Sequence, residues 1–265
     1  MAEKEIKKSV LPYVLFAWAI AGAIIGILLM FRIKPWTPEL GVTFSPIRQV
    51  YDMVWCLLVF PPLGFYCLYW WSKHPEWLAP RGRYSPGVKY SMVSPYTIVA
   101  AAVFAALGVA AGTTTFAGLD LAMLVWAMAM VLFGPFVGYV ASGIAYILRM
   151  LLGLLPFPVG PVTVGHFFWE TFTFAFGGAF YFWLIERTGK RNIQRWVTWV
   201  VALNLVHGFS FLSAFFWAMP ADAYIPFFIW AWTGYRPGAV IATVIGLIIG
   251  EAIVKAIKTR YPTVG

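Results

Sequence analysis

From residue 11 to residue 257 the chain repeats one pattern, an apolar run of roughly twenty residues and then a short polar break. A run of that kind is long enough to cross a bilayer. Inside the bilayer its backbone groups find no water, so each run must satisfy its own N–H and C=O groups by folding as a helix. The runs fall at 11–31, 50–71, 96–111, 121–133, 136–155, 166–185, 196–218 and 238–257. The expected fold is therefore an all-α integral membrane protein with about eight transmembrane helices. The composition fits that class: of 265 residues 62% are hydrophobic and only 11% charged.

The net charge of +9 sits at the ends of the apolar runs. That is the footprint of membrane topology, not of a nucleic-acid surface. With the N-terminus inside, the cytoplasmic segments hold groups of three, four, four and three basic residues, 14 of the 19. Both termini are therefore expected in the cytoplasm of a plasma-membrane protein. The first run is too long for a signal-peptide core and is expected to remain as a span. A polar, proline-rich stretch, SKHPEWLAPRGRYSPGVKYS, suggests a boundary between an N-terminal two-helix segment, 1–90, and a six-helix domain, 91–265. Pro61 and Pro62 are expected to kink the second span. Cys56 and Cys67 share that span and cannot bridge one another.

Small residues at every fourth position let helices approach closely in lipid. Three spans carry such ladders: Ala102, Ala106 and Ala110; Gly134, Gly138 and Ser142; Gly238, Ala242, Gly246 and Gly250. Each serves either internal packing or the docking of a partner protein.

The chemistry concentrates between Met130 and Glu170. Here lie the Gly134-Pro135 break, a glycine-spaced helix, a lone arginine inside an apolar run, and a His/Trp/Glu cluster. An ionisable residue inside a span is expensive and marks a functional site by default. Arg149 and Glu170 are expected at similar depth, about 9 Å from the outer ends of two antiparallel neighbours. They form either a buried ion pair that fixes two helices or a ligand site. In the second case Arg149 takes a carboxylate or phosphate, and Glu170 meets a cation or a donor. His166 shares a face with Glu170 at i, i+4. His166 and Trp169 are either interfacial residues or ligand contacts. Asn204 and His207 share a face in the seventh span and serve either interhelical bonding or the ligand. Asp120 and Asp222 are expected to be solvated at outer loop edges. Tyr224, Trp230, Trp232 and Tyr235 lie in an aromatic outer loop, as a belt or a lid over a flat ligand. Glu251 and Lys255 read as a surface pair.

The part from 94 to 260 resembles the substrate-binding S-components of energy-coupling factor (ECF) vitamin transporters. The resemblance rests on the order of features: six spans with both ends inside, and Ala102-x-x-x-Ala106 in the first of the six. LFGPFVGYVASG, around Gly134-Pro135, joins the second and third, and the Gly177-Gly178 pair precedes a basic cytoplasmic turn. The first two spans have no counterpart in that six-helix unit. The resemblance implies a protein that binds a vitamin-like micronutrient from outside, without a cofactor of its own. It would act with a transmembrane coupling subunit and two cytoplasmic ATPases.

Other classes fit less well. The sequence has no His-Glu-x-x-His, no Gly-x-Ser-x-Gly and no close carboxylate pair in a span, so an enzyme is not expected. His166 and His207 differ in expected depth, which argues against haem, and no repeat suggests a secondary transporter. The alternative is a non-catalytic structural subunit of a larger membrane complex.

Overall fold

The computed structural model describes residues 9–33, 46–73, 94–113, 115–116, 119–155, 159–188 and 193–260. The polar head with its three lysines and the 74–93 boundary lie outside these residues. So do Thr114 and the basic residues Arg81, Arg83 and Lys89.

The described residues are almost entirely helical. The helices are α1 (Leu11–Ile33), α2 (Pro46–Lys73), α3 (Pro95–Gly112), α4 (Leu121–Phe133), α5 (Pro135–Leu151), α6 (Pro161–Thr188) and α7 (Ile193–Phe215). They are followed by α8 (Ala221–Trp230), a π-helical turn (Ala231–Tyr235) and α9 (Arg236–Arg260). Two helices start where local chemistry dictates. The Ser94 hydroxyl accepts from the Thr97 N–H at 3.2 Å, with Pro95 as the first helical residue of α3. Asp120 caps α4 by accepting from the N–H groups of Ala122 and Met123 at 3.1 and 3.4 Å.

Several features depart from the expected spans. The loop before α4 contains a two-residue antiparallel hairpin, β1 (Thr115–Phe116) and β2 (Leu119–Asp120). α5 stops at Leu151, not at residue 155, because Gly153 turns the chain at φ +68°. The N–H of Leu154 then bonds back to the carbonyl of Arg149 at 2.8 Å, the closure expected after a left-handed glycine. The aromatic stretch before α9, expected as a loop, is helical and continuous with α9. Pro237 has no N–H and its ring crowds the carbonyl one turn back. The wider π turn just before it, where the N–H of Arg236 bonds to the carbonyl of Ala231, accommodates both effects.

α6 packs against α2, α5 and α7. α4 packs against α9, α3 and α5, while α1 lies along α2. The α9 ladder is internal: a Cβ at Gly246 would fall on the backbone of Leu124 in α4. Ala102, Ala106 and Ala110 of α3 are exposed instead. Cys67 and Trp71 of α2 belong to the same core as Trp126 of α4, Phe174 of α6 and Trp199 of α7. Residues from both sides of the 74–93 stretch thus share one interior.

Among the described residues, three helical stretches are long and apolar enough to cross a membrane: Pro46–Lys73, Trp196–Ser213 and Asp222–Ile257. The apolar helices Leu11–Gly26, Thr97–Gly112, Leu121–Phe133 and Pro135–Leu151 are shorter. Large apolar side chains cover the outside, among them Ile98, Val103, Ile147, Val201 and Ile248.

Candidate functional site

A cavity of about 390 Å³ opens at one end of the bundle. Its wall is assembled from five places in the chain: the end of α3 with the hairpin, the start of α4, the end of α5, the first half of α6, and α7 with the π turn. On α6 the helical repeat puts His166, Glu170 and Phe174 on one stripe, with Trp169 beside it, and all four line the cavity.

Early termination of α5 changes the position of Arg149. It sits in the last turn of that helix, not six residues inside it. A cation there also complements the helix C-terminus. Its guanidinium lies against Gly112, where a Cβ would stand 3.2 Å from Cζ and Nη1. Conversely, α6 begins at Pro161, five residues before His166. His166 is therefore buried in the second turn, and Glu170 lies deeper still, with 8% and 7% of their surfaces exposed.

Arg149 and Glu170 face one cavity but make no ion pair with each other. The nearest basic atom to Glu170 is Nδ1 of His166, 3.7 Å from Oε2, which is too long for a hydrogen bond. Among the described residues neither charged group has a hydrogen-bond partner. Aromatic rings run along the wall. His166 stacks on Tyr146 at 5.0 Å, Trp169 meets His166 edge-on at 4.5 Å, and His207 meets Trp169 at 4.8 Å. The indole N–H groups of Trp126 and Trp169 are buried without an acceptor, and Nδ1 of His207 is also without a partner.

The second acid of the cavity is already engaged. Asp120 Oδ1 caps α4, and Oδ2 accepts a hydrogen bond from the Tyr235 hydroxyl. Arg236 lies over the Tyr235 ring, 4.8 Å from its centre, and is 3% exposed.

Of the residues expected at the site, the cavity gathers Arg149, His166, Trp169, Glu170 and His207. His166 and Trp169 are wall residues, not interfacial ones. Asn204 is elsewhere: its amide donates to the Val200 carbonyl at 2.9 Å and to the Thr243 hydroxyl at 3.4 Å, fastening α7 to α9. Asp120 lines the cavity and is not a solvated loop residue. Glu251 is buried and accepts from the Tyr181 hydroxyl, whereas a surface position was expected. Of the four loop aromatics, Trp230 and Tyr235 reach the cavity, stacked at 5.9 Å. Trp232 packs on Phe209, and the Tyr224 hydroxyl bonds to the Leu212 carbonyl. Trp126 and Phe174 were missed as site residues, since an aromatic inside an apolar run carries no mark of what it faces.

Comparisons with family models, with curated proteins and with solved structures return no match.

Proposed function

We propose that this chain is the substrate-binding membrane subunit of an ECF-type importer. On this reading it crosses the plasma membrane eight times, α8 to α9 counting as one crossing, with both ends cytoplasmic. It takes a small vitamin-like micronutrient from the outer side and releases it chemically unchanged. Its partners are a transmembrane coupling subunit and two cytoplasmic ATPases.

The observation that carries the reading is the cavity. It has the volume of a small-molecule site, largely aromatic walls, and two opposite charges that do not bond one another. A pair that merely fixed two helices would close on itself, whereas these two stand apart across an open cavity. The exposed Ala102, Ala106 and Ala110 of α3 support the partner half of the proposal: small side chains on an outer face let another helix approach.

The experiment is purification of the full chain in nanodiscs, followed by denaturation and mass spectrometry of whatever is released. One small polar molecule at close to one equivalent per protein is expected, together with its loss in Arg149→Met. A protein that releases none, and whose wild type and variant are alike, would instead be the structural subunit of a larger complex.

A further inference from the structure

Resting on the reading of this cavity as a ligand site, we propose that its ligand is a planar heteroaromatic carboxylate. The carboxylate lies on Arg149 and an N–H edge of the ring lies on Glu170.

Each charge left in the cavity calls for its own partner on the ligand. Asp120 is bonded to Tyr235 and to the start of α4, so Arg149 and Glu170 are the cavity charges left for a ligand. One carboxylate neutralises Arg149 with two parallel hydrogen bonds. A doubly charged phosphate would bring a second negative charge close to Glu170 and Asp120. Glu170 itself accepts only, so it calls for an N–H or amino donor on the ligand.

Planarity and ring nitrogens follow from the wall. The row from His166 through Trp169 to His207 offers ring faces and edges, which a flat molecule meets with the most contact. Trp126 and Trp169 each hold a buried indole N–H without an acceptor. Both residues line the cavity, so an acceptor on the ligand is placed to satisfy them. Ring nitrogens or carbonyl groups supply them, whereas a benzene ring or an aliphatic acid does not. A volume of about 390 Å³ admits one or two fused rings with a short substituent.

The test uses the full chain in nanodiscs, with binding read from tryptophan fluorescence. The probes are orotate and pterin-6-carboxylate. The controls are benzoate, which has the carboxylate and no N–H edge, and cytosine, which has the edge and no carboxylate. At least one probe should bind about tenfold or more tightly than either control. Trp169→Phe keeps an aromatic ring and removes the N–H together with part of the indole. It should weaken the probe about tenfold and affect benzoate, which has no ring acceptor, far less. The melting temperature of the empty variant should fall, because Trp169 packs in a buried cluster with Cys56, Phe60 and Phe215. Controls that bind as tightly as the probes, or a Trp169→Phe protein that binds the probe like the wild type, overturn this inference and leave the cavity a ligand site. A released molecule that is not a heteroaromatic acid does the same. No binding of any compound, with nothing released on denaturation, overturns both.

Discussion

At the scale of single residues, Arg149 and Glu170 behave as two separate charges awaiting a third party. Arg149→Met should change the unfolding free energy of the empty protein by less than about 1 kcal/mol, because no ion pair is broken. The same change should weaken the bound ligand by about 2 kcal/mol or more, the loss of a charge-assisted bond. With Glu170→Gln added, the stability effects should add within about 0.5 kcal/mol, the mark of groups that share no contact. A larger coupling, measured by a double-mutant cycle in detergent, would restore the closed pair. Asn204→Ala gives the opposite pattern. It should cost about 1 kcal/mol of stability through its lost bond to Thr243, and leave ligand affinity unchanged. The sequence marks all these residues in the same way, as polar groups inside apolar runs. Helical spacing is enough to bring His166, Trp169 and Glu170 together. It says nothing of the partner on another helix, so Asn204 and His207, three apart, go to different neighbours. Asp120 was expected in solvent at a loop edge; instead it caps α4, and its bond to Tyr235 links positions 115 apart.

At the scale of elements, the helices are readable from their apolar runs, and the errors fall where proline was taken for a loop. Pro161 opens α6 as its first residue, and Pro226 and Pro237 lie within or beside helix that a π turn relieves. α2 has a role that its position in the sequence hides. Cys56 and Phe60 of α2 pack with Val162, Trp169 and Phe215 behind the cavity wall. Arg48 ties the start of α2 to the Met219 carbonyl at 3.2 Å, in the corner between α7 and α8. α2 comes so close to α6 that a Cβ at Gly165 would stand 2.9 Å from the Cys56 sulfur. Gly165→Leu should therefore push α2 outward, cost about 1–3 kcal/mol of stability and weaken the ligand about tenfold. Unchanged affinity in that variant would free Trp169 from any dependence on α2. On the face of α3 that carries Ala102, Ala106 and Ala110, Ala106→Trp should abolish assembly with the proposed coupling subunit while ligand binding by the isolated protein stays intact. Assembly would be read by co-purification, and its survival would assign the α3 stripe to lipid.

At the scale of the whole molecule, the proposed topology decides which way the cavity faces. Spans in an apolar chain are apparent from composition, and the bias of basic residues orients them, but neither depends on the side-chain contacts that form the cavity. Cysteines placed at Thr113 and Thr188 should react with an impermeant maleimide from opposite sides of sealed vesicles. Labelling of both from one side would invert everything after α4 and turn the cavity toward the cytoplasm.

α4 itself has a further consequence. Its 13 residues make a rod of about 20 Å, against a hydrocarbon slab of about 30 Å. The neighbouring helical stretch, Asp222–Ile257, is almost three times as long in residues. α4 is largely buried against α9, α3 and α5, so those longer neighbours, and not α4, form the outer surface around it. A helix enclosed in this way is free of the length that lipid imposes on an exposed one. Its shortness is what leaves space at its start for the hairpin and Asp120, and with them for the mouth of the cavity.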